Sequence, residues 1–180
     1  FPSWGTLASV ISTATLIAYL TGPVTVISLR EMAPNFKRPV KSAMLRVMAP
    51  LAFVLTSLAA YWAKWPTTVE VIGVIFLGIP LYLFYEWRSG WRSTWQQLKA
   101  SAWMLGYLVF LSVISLIGSA EFNGLNWIHY PMDFVVIILG AVVFYFWGIN
   151  SHIISKYFRK AARVNDKVKM PAAEDIERDK

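Results

Sequence analysis

The 180 residues are 57% hydrophobic and only 15% charged, with a mean hydropathy of +0.50. A water-soluble domain is typically about 25% charged, so this chain cannot cover itself with polar surface and lipid must solvate much of it. The absence of cysteine excludes disulfides, cysteine metal sites and thiol catalysis, and the net charge of +7 sits on residues flanking apolar segments, which suits anionic lipid rather than nucleic acid.

Five stretches approach the roughly 20 apolar residues that a membrane-spanning helix needs. They lie at about residues 5–29, 45–62, 68–85, 101–118 and 133–154, within a transmembrane region of residues 1–155. Residues 156–180 follow as a basic and then mixed-charge tail. The connecting segments are too short to wrap five such helices in a polar layer. The expected fold class is therefore an all-α integral membrane protein with five transmembrane helices. The chain begins at Phe1 with no basic segment ahead of the first apolar run, which argues against a signal peptide and suggests a piece of something longer.

The first span carries the most information. Gly22-Pro23 interrupts it, because Pro23 has no N–H and its ring crowds the Tyr19 carbonyl. Transporters use such broken helices to bind substrates or to flex, while a packing kink is the plainer reading. Ala14, Ala18 and Gly22 make a small-residue stripe suited to close helix approach. Thr6, Ser9 and Thr13 form a separate polar face that could line an aqueous pathway or bond its own backbone.

The loop after this span carries Arg30, Lys37, Arg38, Lys41 and Arg46. The second span has Ala52, Thr56 and Ala60 four apart, which predicts a packing face, with Pro50 near its start. Lys64 is the lone basic residue of the next connection. In the third span Pro80 predicts a second kink, and Glu70 lies near the end opposite Glu86. Arg88, Arg92 and Lys99 follow, with Trp87, Trp91 and Trp95 spaced for a helix in the membrane plane or a solvated loop.

Basic residues thus alternate with the spans, and the positive-inside rule places the N-terminus outside and the C-terminus in the cytoplasm. Trp62, Trp65, Trp127 and Tyr130 at one face, and Trp87, Trp91, Trp95 and Trp103 at the other, read as aromatic belts. In the fifth span Asp133 suits the helix dipole at its start, and Gly140 and Gly148 predict close packing. His129 and His152 fall at opposite ends. From Lys156 to Lys167 the basic residues share one helical face suited to anionic headgroups. No catalytic constellation, metal-ligand cluster or cofactor motif is present in the sequence.

The segment TGPVTVISLREMAPNFKRP resembles the region after the tenth helix of the amino acid–polyamine–organocation (APC) superfamily. The matching residues are Gly22, Pro23, Leu29, Arg30, Pro34, Arg38 and Pro39. GLNWIHYPMDFVVI, from Gly124 to Ile137, is similar to the outer loop and last helix of fourteen-helix members such as aspartate–proton symporter-like permeases.

The resemblance implies helices ten to fourteen of a LeuT-like fold in the cell membrane. It implies an amino-acid substrate coupled to a proton or sodium in the full-length protein, and the remaining helices of the same transporter as partners. The main substrate site would lie upstream of Phe1, leaving Thr6, Ser9 and Thr13 on the edge of the pathway and Gly22-Pro23 as a helix break. The alternative is a five-span scaffold or subunit of a larger complex; a membrane enzyme would need clustered acids or histidines.

Overall fold

The computed structural model describes residues 3–32, 44–89 and 94–151, and among them all regular structure is helical. Six α-helices follow one another: α1 (Trp4–Tyr19), α2 (Thr21–Met32), α3 (Leu45–Tyr61), α4 (Thr67–Ser89), α5 (Thr94–Ile117) and α6 (Met132–Asn150). A 3₁₀ turn, Ala120–Phe122, lies between α5 and α6. The tail from residue 152 and the Pro34 to Lys41 motif fall outside the described residues.

The chain forms a multi-pass membrane bundle. Among the described residues four helical segments are long and apolar enough to cross a membrane: Trp4–Met32, which runs through α1 and α2, Thr67–Arg88, Gln97–Ile117 and Met132–Asn150. The α3 helix is equally apolar but has only 17 residues. At a rise of about 1.5 Å per residue it reaches about 26 Å, slightly less than the roughly 30 Å of a hydrocarbon core.

The α1 helix starts at an N-cap serine, since Ser3 Oγ accepts the Thr6 N–H at 3.3 Å. It is separated from α2 by one residue, Leu20, whose backbone remains right-handed helical (φ −57°, ψ −30°). The Leu20 N–H is still shared between the Leu16 and Ile17 carbonyls at 3.3 Å each. Gly22 and Pro23 occupy the first turn of α2. The missing N–H of Pro23 thus interrupts the ladder without unwinding the chain.

Pro50 and Pro80 both lie inside their helices, α3 and α4. Each removes an i→i−4 bond, freeing the carbonyls of Arg46 and Phe76. Pro50 is the sixth residue of α3, deeper than the first-turn position where proline is free of cost.

Packing centres on α3, which touches α1, α2 and α6; α5 lies against α6 and α4, and α4 closes onto α1. Phe53 is fully buried at the middle of this arrangement, with ring centroids of Tyr107, Tyr145 and Trp103 at 5.1, 5.6 and 6.4 Å. Tyr107, Phe110 and Phe144 extend the aromatic cluster. Glycines on α6 let it approach: a Cβ on Gly148 would lie 2.9 Å from Trp103 Cδ2, and one on Gly140 would run into the Phe110 ring.

Three expectations shift here. The buried face of α3 is Ala49, Phe53, Ser57, Ala60 and Tyr61, not the Ala52-Thr56-Ala60 row; Ala52 is exposed. Bulky Phe53 and Tyr61 fill space that small residues would leave open. Trp103 is buried in the core rather than set in a belt. Trp87 ends α4 and Trp95 begins α5, so these two tryptophans do not share one in-plane helix. The two helices are joined there by Tyr82 Oη donating to Gln97 Oε1 at 2.7 Å.

Candidate functional site

The polar features fall into two groups, one along α1 and one at the bundle end that carries the α3–α4 and α5–α6 connections. On α1, Thr6 is exposed and its hydroxyl pairs with Ser3 Oγ at 2.9 Å. Ser9 is half-buried. Thr13 is buried, and its Oγ1 donates to the Ser9 carbonyl at 2.8 Å. Thr13 therefore satisfies its hydroxyl within its own helix, as buried membrane threonines commonly do. Thr13→Val is expected to change stability by about 0.6 kcal/mol, checked by thermal melting in detergent. Beyond them, Ala14, Ala18 and Gly22 are exposed, and a Cβ on Gly22 would meet nothing within 4 Å.

The second group is built on a tightly folded connection. Trp65 N–H donates to the Phe122 carbonyl at 3.1 Å, and Asn123 Nδ2 to the Trp65 carbonyl at 3.2 Å, so the two loops are stitched together. Asn123 and Asn126 hold left-handed backbone (φ 62° and 58°), which asparagine tolerates. Asn126 and Gly124 N–H groups bond back to the Gly118 and Ser119 carbonyls at 2.8 and 3.1 Å.

Under this lid, Tyr61 at the end of α3 is 1% exposed. Its ring packs on Phe122 and Phe134, with centroids at 4.9 and 6.0 Å. Its hydroxyl donates to Asp133 Oδ2 at 2.8 Å. Asp133 is fully buried, and its Oδ1 accepts the Phe134 N–H at 2.9 Å. Ser119 lies beside the Tyr61 oxygen, and its hydroxyl is buried. Gly118 permits the approach, since a Cβ there would collide with Tyr61 Oη.

A buried carboxylate without a cation alongside is costly. Among the described residues no basic side chain contacts Asp133. Lys64, Glu121, His129 and Tyr130, the titratable side chains of the surrounding connections, are exposed.

As expected for a charge that suits the helix dipole, Asp133 lies in the first turn of α6, whose N-cap is Pro131, and its side chain is buried in the bundle. Its partner Tyr61 is 72 residues away, so periodicity could not reveal the pair. The usable signal was Gly118-Ser119, small residues closing one span opposite a tyrosine closing another. Glu70 is exposed in the first turn of α4. His152 lies outside the described residues. Among the described residues no group of three or more acids and histidines could hold a metal ion.

Comparison with known proteins gives the setting for these features. Over 168 residues, 93% of this chain, it is 42% identical to the glutamate/serine transporter AimA of Bacillus subtilis (strain 168). Over 150 residues, 82% of the chain, it is 30% identical to the aspartate-proton symporter of the same organism. The matched regions are 31% and 29% of those proteins, so the chain spans about three-tenths of their length. No family model and no solved structure matches. Both relatives are transporters and neither is an enzyme, so the chain is similar along nearly its whole length to part of a membrane amino-acid transporter.

Proposed function

We propose that this chain is the C-terminal part of a secondary active transporter that carries amino acids across the cell membrane by cation-coupled alternating access. The observation that carries the reading is 42% identity to a glutamate/serine transporter across 93% of the chain. The similarity to an aspartate-proton symporter favours acidic or small polar amino acids as substrates and a proton as the coupling ion. In this reading α1 with α2, then α3, α4, α5 and α6, are five spans of an APC-type, LeuT-like bundle. The N-terminus faces outward and the basic segments face the cytoplasm, following the positive-inside rule.

The main substrate site belongs to the remaining helices of the transporter. Thr6 and Ser9 border the pathway on α1, and the joint at Leu20, set by Gly22 and Pro23, is a flexing point. The geometry agrees with flexing better than with substrate binding, because Leu20 stays helical and offers no unwound backbone. Pro23→Ala would restore a donor for the Tyr19 carbonyl and stiffen the joint. It is expected to slow uptake roughly tenfold, about 1.4 kcal/mol in the barrier, with substrate affinity little changed. Initial uptake rates and equilibrium binding on the same preparation check this.

Uptake of a labelled amino-acid panel into proteoliposomes under a proton gradient tests the function. Transport by a protein that carries this chain together with the upstream helices, and none by residues 1–180 alone, is the expected result. Transport by neither would instead make the chain a five-span scaffold subunit.

A further inference from the structure

We infer that the cleft between α2 and α5, at the basic end of the bundle, binds an anionic phospholipid, with an acyl chain seated in its cavity and the headgroup meeting Lys99. The inference goes beyond transport and needs only the membrane bundle.

The cleft has a plain structural cause. Helices α2 and α5 both pack on α6 or its neighbours, and Gly148 of α6 is where their side chains converge. A Cβ on Gly148 would lie 2.9 Å from Trp103 Cδ2 of α5 and 3.0 Å from Val24 Cγ1 of α2. Between the two helices a cavity of about 220 Å³ remains, floored by Val24, Ser28, Trp103 and Gly148. All four are buried, whereas Thr25 and Leu29 on its edge are exposed, so the cavity opens toward the outside of the bundle.

Its chemistry suits a hydrocarbon chain rather than a polar solute. Among the described residues that line it none is charged. Two of its hydroxyls are committed to their own helices: Thr25 Oγ1 donates to the Thr21 carbonyl and Ser151 Oγ to the Trp147 carbonyl, each at 2.7 Å. An amino acid would bring two charges here and find no counter-charge. An acyl chain asks for no polar partner and gains with every CH₂ it buries. Size agrees. A dry cavity of roughly 150 Å³ takes a benzene-sized guest, and small-molecule sites begin near roughly 300 Å³. The cavity of about 220 Å³ lies between them, room for a segment of a chain.

Depth and charge select the headgroup. The lining comes from the last turns of α2 and α6 and the first turns of α5, the level at which the apolar spans end. The described basic residues of this end are Arg30, Arg46, Arg88 and Lys99, against Glu31 and Glu86. The opposite end has Lys64 against Glu70, Glu121 and Asp133. Lys99 is exposed and adjoins Ala100 of the cavity wall, and its Nζ stands 5.2 Å from the centre of the Trp95 ring. Trp95 precedes the apolar span, so this contact carries the ammonium to headgroup level. A basic side chain beside a cleft between membrane helices attracts anionic headgroups.

The test uses the full-length protein, purified in detergent and supplied with dioleoyl phosphatidylglycerol or dioleoyl phosphatidylcholine. Native mass spectrometry is expected to show phosphatidylglycerol retained in preference. Lys99→Gln is expected to lower that preference roughly fivefold, the equivalent of about 1 kcal/mol for one basic side chain near an anionic surface. Ala100→Phe fills the cavity and is expected to lower phosphatidylglycerol retention roughly tenfold, the loss of about two buried CH₂ groups. Equal retention of the two lipids by the wild type, or an unchanged preference in Lys99→Gln, overturns the site. Because Ala100→Phe can fail to fold, the wild type is also crosslinked to phosphatidylglycerol carrying a diazirine on its acyl chain. Label is expected on Leu29, Met32 and Ala100 in excess of that on Leu77 and Val143, which are exposed on α4 and α6. Label no denser at the cavity marks ordinary lipid solvation, and an unlabelled cavity marks one covered by another helix of the protein. Either result overturns the proposal.

Discussion

Asp133→Ala is expected to destabilise the protein by about 3 kcal/mol, read as a loss of thermal stability in detergent. The substitution removes the acceptor of the Tyr61 hydroxyl, which is buried between two aromatic rings. An orphaned buried donor costs roughly 1–3 kcal/mol. The small cavity left by the carboxyl group adds a further fraction at about 24 cal/mol per Å³. Asp133→Asn should lose far less, because its amide oxygen still accepts from Tyr61. Equal losses for the alanine and asparagine variants would show that the Tyr61–Asp133 bond does not hold α3 to α6.

Gly118→Ala is expected to cost about 2–3 kcal/mol, in the upper part of the range for overpacking. The added methyl would collide with Tyr61 Oη and lie 2.7 Å from the Ile114 carbonyl oxygen. The tyrosine cannot swing aside, since Phe122 and Phe134 flank its ring and Asp133 holds its hydroxyl. The carbonyl belongs to the last turns of α5 and is fixed by the helix. Gly73→Ala on α4 supplies the control, because nothing lies within 4 Å of its Cβ position. It should be neutral or gain up to about 1 kcal/mol from helix propensity. Combining Gly118→Ala with Asp133→Ala should cost less than the sum of the two, because both disrupt the same tyrosine. Additivity within about 0.5 kcal/mol would show that Gly118 acts on something else.

Much of the architecture was legible in the sequence because membrane helices announce themselves by length and hydropathy. The helical runs, the interruption near Gly22-Pro23 and the close packing at Gly140 and Gly148 all follow from local chemistry. What periodicity could not supply was which face of a uniformly apolar helix meets protein. In lipid the outward side is as hydrophobic as the core, so a small-residue row such as Ala52-Thr56-Ala60 competes with the bulky row that contains Phe53 and Tyr61. Trp103 misleads for the same reason, since an indole near a helix end serves a belt or a core equally well. Asp133 was visible as an unusual charge, but its partner came from a span 72 residues earlier, and only the folded connection between Gly118 and Asn126 brings the two together.

The joint at Leu20 has a mechanical consequence. Above it, α1 leans on α3 and α4; below it, α2 leans on α3 and α6. One continuous rod would force α4 and α6 to share every rotation of the first span. On the proposed flexing, a span articulated at its middle would behave as two levers on a common fulcrum, α3, and either arm would swing while the other stays seated. One end of the span would then rearrange without dragging the opposite end along, with Pro23 separating the two motions.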